Sequence, residues 1–534
     1  MRITNSQWLL HKLTNMYKKQ VLWLILFSTV VRLLVASHIG LGNDEVYYYT
    51  YALHLQKNYF DHPPAVAWLI RIFTGNLYFR QEVFLRLGAI VFAAIGTWLS
   101  FLIGKRIRNE ATGWYAALLY TSSIYCSIIA GTFILPDSPQ IVFWLASLLA
   151  MLKLADAYQL NGRATYGQWL IFGVFAGVCI MCKVHGIFLW AGLGLYMLFY
   201  ERKMFVHPGF YLAVIITGII ISPIITWNID NHFITWRYHS ERVEVHQFAL
   251  NTDGFIQAML GQIFYNNPFN VCILVFAFFG MRKLALLPAH VNRLLLFTAL
   301  PMVVFVTGIS LFRDVLPHWS GPGFLTLSFI GAAFLDAKLS ILPKSIFKGL
   351  LTAALVFIAV LVTAGVAAII FFPGTIGSKQ AANLGDGDFT LDMYGWQQFG
   401  KDFTNWQNEA VANKQFPQGL PIVCNKWFPA ADIQYYVART SNNAVIGIGN
   451  MNDLHQYVWL NHCQQLLAIG QDALCIIPSN NTADPQLAYG VYFNSVQPVH
   501  QFTSFRSGKA VRYFNVYLLK GYKGNDEARK YIVE

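Results

Sequence analysis

Asn43-Asp44-Glu45 closes the first long apolar segment of the chain, and Tyr59-Phe60-Asp61-His62-Pro63-Pro64 follows shortly after. Ionisable groups at a membrane boundary are expensive and by default mark a functional site. Further along stand Asp137, within Ile134-Leu135-Pro136-Asp137-Ser138-Pro139, and Lys183 and His185, which flank Val184. Arg237, Glu241 and Arg242 share one segment, and Arg313, Asp314 and His318 another. Lysine and arginine can cradle a phosphate or diphosphate. A carboxylate nearby can take a proton from an acceptor hydroxyl. Flanking aromatic residues and amphipathic helices can hold a long isoprenoid tail. Together these residue types describe sugar transfer from a lipid phosphate at the outer membrane surface.

The elements that must position them are apolar. The 534 residues are 56% apolar and only 12% charged, against roughly 45–50% and about 25% in soluble domains. That composition describes a helical polytopic membrane protein. Windows of about 20 apolar residues give eleven spans, near 20–40, 82–104, 111–132, 138–157, 166–182, 184–200, 209–227, 269–288, 294–312, 318–336 and 349–373. Lys12, Lys18 and Lys19 precede the first and put the N-terminus in the cytoplasm. Each turn then expected inside is basic: Lys105, Arg106 and Arg108; Lys153 and Arg163; Arg202 and Lys203; Arg282, Lys283 and Arg293; Lys338, Lys344 and Lys348. This obeys the positive-inside rule. An odd span count leaves the C-terminal region outside, and the site residues above gather on that same face.

Residues 1–373 thus form a membrane module and 374–534 a small periplasmic α/β domain. The latter carries twelve Lys+Arg and twelve Asp+Glu, so the formal charge of +12 belongs to the membrane part. Loops facing anionic lipid account for most of it, and no nucleic acid is needed. The first apolar stretch reads as a retained anchor rather than a cleaved signal. Within 41–81, residues 46–55 and 65–73 read as short amphipathic helices along the outer surface, the second opened by Pro63-Pro64. A second long outer loop covers 228–268. In the tail, residues 420–424, 444–448 and 473–477 read as buried strands and 394–412 and 429–439 as helices. Seven cysteines are scattered. Cys179 and Cys182 read as small packing residues, while Cys424, Cys463 and Cys475 leave a disulfide possible in the outer domain.

Each polar residue also has a plain structural reading. Asp44, Asp61 and Asp137 can cap helices, Lys183 can snorkel to the interface, Arg313 and Asp314 can neutralise each other, and His318-Trp319 can anchor at the interface. Arg237, Glu241 and Arg242 can form a solvated face. A divalent metal is possible through carboxylate oxygens, but no spacing requires one, and no cofactor is certain.

With the motifs in order, the chain resembles the C-type (GT-C) glycosyltransferases of the protein O-mannosyltransferase and lipid A aminoarabinose transferase group. Asp44-Glu45, Asp61-His62-Pro63-Pro64 and Leu135-Pro136-Asp137 carry the likeness. So do Cys182-Lys183-Val184-His185-Gly186 and the Asp314–Gly323 turn, over about residues 1–340. The resemblance implies a catalytic role for Asp44 with Glu45 as its supporting neighbour, Asp137 as a second acid beside the site, and Lys183 facing the lipid phosphate. His62 stands where the aminoarabinose branch has lysine, and its charge depends on pH. Substrate contacts are expected from Asp61, His62, Lys183, His185, Arg237, Arg242, Arg313 and His318. The implied reaction is inverting transfer from a polyprenyl-phosphate-linked sugar, undecaprenyl phosphate in a bacterium. Its acceptor is lipid A, another glycolipid, a glycan or a protein at the periplasmic face of the inner membrane. The alternative is a transporter or flippase of a lipid-linked or anionic solute. Transporters, however, place charge near the midplane of repeated halves, and no repeat is visible here. A membrane sensor would leave Asp44 and Glu45 unexplained.

Overall fold

The computed structural model describes residues 5–244, 250–281, 284–342, 345–464 and 466–525. Arg282, Lys283 and Lys344 lie outside them, as does the side chain of Lys12. The chain divides into two compact units. One holds Met1–Leu34, His62–Phe73 and Arg86–Val362, and the other Val35–Asp61, Thr74–Leu85 and Thr363–Glu534. The second unit therefore takes in two stretches of the first outer loop beside the C-terminal region.

The first unit is helical. Each of the eleven apolar windows holds a helix. Among the described residues seven helices are long and apolar enough to cross a membrane, or eight if one bent pair is a single span. Shorter than a span are the helix Glu110–Ser122, which gives way to a π-helical turn at Tyr125–Ile129, and the apolar pair Tyr166–Cys182 and Val184–Phe199. The protein is thus a multi-pass membrane protein. The loop 228–268 holds two helices, Ile234–Val243 and Thr252–Tyr265. The latter meets Pro268–Gly280 at 94°. Asn267 makes that elbow at a φ of 68°, a left-handed conformation that asparagine tolerates. Its buried amide donates to the carbonyls of Ser122 and Ala354, both at 2.9 Å.

Local sequence explains the helix ends. Thr165 and Gln168 form a capping box for Tyr166–Cys182, and the Asn109 side chain accepts from the Thr112 amide. Such caps answer amides that have no partner inside the helix. Interior hydroxyls tie neighbours together: Trp144 Nε1 donates to Thr326 Oγ1 at 2.9 Å and Thr217 Oγ1 to the Gly173 carbonyl at 2.8 Å. At one end of the bundle Asp336 accepts from Arg108 and Asn109, both at 2.8 Å, and Asp156 pairs with Arg106 at 2.5 Å and His290 at 2.8 Å. Asp156 and Asp137 sit on one helix, Asp137–Asn161, about 28 Å apart at 1.5 Å per residue. The basic turn residues and Asp137 thus occupy opposite ends of that helix, close to a hydrocarbon thickness apart.

The second unit contains a five-stranded sheet in the order β2-β1-β3-β5-β4. The strands are β1 (Ile422–Cys424), β2 (Val445–Gly447), β3 (Ala473–Pro478), β4 (Phe493–Arg506) and β5 (Lys509–Tyr522). The first three are parallel, and β5 runs antiparallel to both β3 and β4. The α/β tail expected from sequence is present, with helices Trp396–Ala412 and Trp427–Asp432, but the β4–β5 hairpin was not foreseen. Its turn is Ser507-Gly508, both at positive φ, the backbone that a tight two-residue hairpin requires. Just before the turn, Arg506 is fully buried. It pairs with Asp388 at 3.0 Å and donates to the carbonyls of Ile369 and Gly374. Ser507 Oγ donates to the Phe371 carbonyl at 2.9 Å, so the last turn of the apolar helix Ile346–Phe371 finds donors on the hairpin.

One expectation needs correction. The helix Asn43–Leu53 does not lie open along a membrane surface, because Glu45 through Ala52 are all buried. Tyr47 packs 5.0 Å from Trp427 and Tyr49 5.0 Å from Tyr435. Helix Ala65–Phe73 keeps an exposed face with Trp68 and Ile72. All seven cysteines are free, so the disulfide left open for the outer domain does not form.

Candidate functional site

Two clusters of ionisable groups stand out, one in each unit. In the helical unit, Asp137 opens a helix and Lys183 closes the helix Tyr166–Cys182 as its C-cap. Their side chains meet at 2.7 Å, each only 4% exposed. The other oxygen of Asp137 accepts from the Tyr125 hydroxyl at 2.9 Å. Tyr125 is held flat against the backbone of Gly321, where a Cβ would come within 2.5 Å of the ring. Gly321 is therefore the residue that lets the tyrosine reach Asp137.

Histidines surround this pair. His62, His185, His239 and His318 all lie close enough to the pair, or to one another, to feel its charge. His62 lies in the short loop before helix Ala65–Phe73. Burial, then the charge of Lys183, pushes its imidazole well below the usual histidine range. The His185 ring lies 5.6 Å from Trp319, and its Nδ1 is buried with no hydrogen-bond partner among the described residues. Arg242 lies 5.9 Å over the same Trp319 ring. The Asp137 carboxylate thus has Lys183, His62, His185 and His318 around it, with His239 beside His62 and Arg242 over the Trp319 ring. That set suits an anion with several oxygens, because each imidazole can offer one N–H.

Of the residues singled out from sequence, Asp137, Lys183, His62, His185, His318 and Arg242 come together here. Arg237 turns back on its own loop and donates to the His232 carbonyl. Arg313 donates to the Glu241 carbonyl at 3.0 Å, and Asp314 accepts from Asn251 at 2.9 Å. Tyr125 and His239 were missed: Tyr125 lay in an apolar window, and His239 in a segment read as solvated. Arg32 was missed too. It is buried within the first span, donating to Ser127 Oγ at 3.0 Å.

The second unit holds Asp44, Glu45 and Asp61 around the start of helix Asn43–Leu53. Asp44, in the first turn, is exposed. Glu45 is buried, and its Oε2 accepts the Gly42 amide at 2.9 Å, which makes it a capping residue of that helix. Asp61 accepts from the hydroxyls of Tyr47 and Tyr51. Burial raises its carboxyl to about 6, against the pull of the two tyrosine donors, and Asp44 adds to the rise. Asp392 is likewise raised to about 6, by burial first. Asp432 is fully buried beside Arg512 and rises well above the usual range. Among the described residues no three His, Cys, Asp or Glu side chains converge as a metal ion would require.

Comparison with known proteins agrees with this picture. Residues 61–227 match the model of a family described as dolichyl-phosphate-mannose-protein mannosyltransferase. A curated protein of Rhizobium johnstonii, lipid A galacturonosyltransferase RgtD, is 20% identical over 296 residues. The match covers 55% of this chain and 60% of that protein's length. Crystal structures of ArnT from Cupriavidus metallidurans superpose over nearly the whole chain. The ligand-free form has a TM-score of 0.58 at 14% identity, covering 94% of this chain and 98% of ArnT. The form bound to undecaprenyl phosphate has a TM-score of 0.56 at 15% identity, covering 93% and 98%. The fold that the motif resemblance implied is present: the chain shares the fold of ArnT. It is similar in sequence to the mannosyltransferase family model over residues 61–227 and to the galacturonosyltransferase over 55% of its own length.

Proposed function

We propose, from the GT-C fold and the Lys183 cluster, that the protein transfers a sugar from a polyprenyl phosphate to an acceptor outside the membrane. The single observation that carries this reading is the buried Lys183–Asp137 pair set among four histidines. An electropositive pocket at helix ends can receive a lipid-linked phosphate and hold it as it departs. The names of the relatives point the same way, one acting on lipid A and one crystallised with undecaprenyl phosphate. The acceptor class is accordingly lipid A, another glycolipid, a glycan or a protein. In this reading the N-terminus is cytoplasmic and the C-terminal unit periplasmic in the inner membrane.

The acceptor oxygen attacks the anomeric carbon from the face opposite the phosphate. The bond from that carbon to the phosphate oxygen breaks, and its electron pair leaves with the lipid phosphate. The hydroxyl proton passes to a carboxylate. Asp44 suits that role because it is exposed and presented on a fixed helical turn, whereas Glu45 is occupied in capping that turn. Asp137 is a positioning residue that holds Lys183 in place. His62, His185, His318 and Arg242 complete the phosphate site. Arg237 and Arg313 bind backbone carbonyls and support their loops.

The test is mass spectrometry of envelope lipids and glycoproteins from cells with wild-type protein, Asp44→Asn or a deletion. A sugar-sized increment lost in both altered strains supports transfer through Asp44 and identifies the acceptor. An increment lost only in the deletion strain overturns Asp44 as the base. No change in any glycan while the protein is expressed overturns sugar transfer itself.

A further inference from the structure

A cavity of ≈ 720 Å³ opens within the second unit, between the 37–40 stretch, Glu82, the start of helix Trp396–Ala412 and strand β4. That volume falls in the range of small-molecule sites, about 300–1,000 Å³. Its lining mixes two kinds of group. Tyr394 and Phe505 supply rings at the rim, in front of a buried wall that includes Trp396 and the stacked Phe399–Phe514 pair, whose centroids are 3.8 Å apart. Gln397, Gln398, Asp402 and Glu82 supply amide and carboxylate oxygens beside them.

The polar groups are pre-set. Gln398 Nε2 donates to Asp402 Oδ1 at 2.9 Å along one helical turn. The Tyr394 hydroxyl donates to the Phe505 carbonyl at 3.0 Å, which fixes its ring against the β4 end of the rim. Gly395 starts the helix at a φ of 84°, and a Cβ there would lie 2.5 Å from Ser504 Oγ. Among the described lining residues there are two carboxylates, one histidine and no Lys or Arg. The charge that the lining itself presents is the reverse of that around Lys183. The buried guanidiniums of Arg512 and Arg506 lie over the rings of Trp396 and Tyr394 at 4.7 and 5.3 Å and donate to protein acceptors. Such a lining repels phosphates and uronic acids, and it matches a ligand that carries hydroxyls or an ammonium group. Aromatic faces are electron-rich and favour the polarised C–H face of a pyranose or a cation.

We infer that this cavity is a saccharide site, selective for neutral or amino sugars over acidic ones. Resting on the proposed transfer reaction, we further assign it to the carbohydrate of the acceptor rather than to the donor. An acceptor held by both its reacting hydroxyl and a remote sugar loses conformational freedom before reaction, and that lowers the barrier.

The test uses the full-length protein in lipid nanodiscs, with saturation-transfer NMR and titration. The probes are a glucosamine disaccharide, N,N′-diacetylchitobiose and digalacturonic acid. Phe505→Ala and Gln397→Ala alter exposed side chains and leave the folded core intact, while Asp402→Asn removes one charge. Binding of either of the first two probes, weakened about tenfold by Phe505→Ala or Asp402→Asn, supports the site. Equal binding of the acidic probe, binding insensitive to all three variants, or no binding overturns it. In the transfer assay the same variants should raise the acceptor KM about tenfold and leave the donor KM unchanged. If sugars bind but no transfer is found, the site stands and the enzyme reading falls. If transfer proceeds with an unaltered acceptor KM, the acceptor assignment falls while the enzyme reading stands.

Discussion

In the helical unit the buried Asp137 carboxylate is answered by the Lys183 ammonium and by a tyrosine hydroxyl, both at hydrogen-bond distance. In the second unit the buried carboxyl of Asp61 is answered by hydroxyls, and Asp432 by the field of Arg512. The first arrangement pairs opposite charges directly and surrounds them with imidazoles that can each offer an N–H. The second keeps carboxyls near the point of accepting a proton. One region is thus suited to holding an anion in place, and the other holds carboxyls that burial keeps protonated to higher pH. Such a division fits two-substrate chemistry in which a phosphate must leave and a hydroxyl must be deprotonated.

The sharpest way to break that contrast is to remove a charge from each side. Asp44→Asn should lower kcat by about 100- to 10,000-fold with a small change in melting temperature, since Asp44 is exposed. A kcat within about threefold of wild type would place the base elsewhere. Lys183→Met alone strands Asp137 and should cost about 3–5 kcal/mol, read as a thermal shift in detergent. Pairing it with Asp137→Leu should restore most of the stability without restoring transfer. A double variant that transfers sugar normally would make the pair structural only.

Titration separates the regions next. A carboxyl raised in the fold holds its proton where the unfolded chain has lost it. Stability is therefore greatest below the ordinary carboxyl value of 3.8 and declines as pH rises to about 6. Asp61 and Asp392 share that window, and each contributes up to about 3 kcal/mol. Asp432 is raised as well, so Asp61→Asn should remove roughly a third of the slope, as followed by chemical unfolding between pH 4 and 6. An unchanged slope would assign it to Asp392 or Asp432. The smallest effect is expected at Glu45. Loss of its cap in Glu45→Ala should cost about 1 kcal/mol, whereas Glu45→Gln, which can still accept the Gly42 amide, should keep stability near wild type. A kcat that collapses in Glu45→Gln without any thermal shift would return Glu45 to the chemistry.

Much of the membrane architecture was legible because hydropathy acts locally: every apolar window contains a helix. How many cross the bilayer was less legible, since the window near 111–132 ends in a π-helical turn and 269–288 belongs to a bent pair. Lys183, Asp137, His185 and His318 were recognisable from residue type, because ionisable groups at span ends are costly wherever they lie. Tyr125 and His239 owe their places to tertiary packing, which leaves no periodic trace. The β4–β5 hairpin escaped because β4 is mostly exposed and rich in Gln, Ser and His, so it lacks a clean alternation of apolar residues. Its Ser507-Gly508 turn was the available signal. The helix Asn43–Leu53 was misplaced for a related reason: a run of tyrosines reads equally as an interfacial belt or as a core packed on Trp427.

The guanidinium of Arg506 has a consequence for cooperativity. The final turn of a helix leaves carbonyls without partners, and such ends usually fray first. Here the ends at Ile369 and Gly374 accept from a side chain fixed at the tip of a two-stranded ribbon. Opening that helix end thus requires opening the ribbon as well. Slow amide exchange should therefore extend without a break from the paired residues of β4 and β5 to Gly374, whose amide donates to the Arg506 carbonyl at 3.3 Å. The lip of the last apolar helix would then behave as part of one exchange-protected block rather than as a frayed terminus.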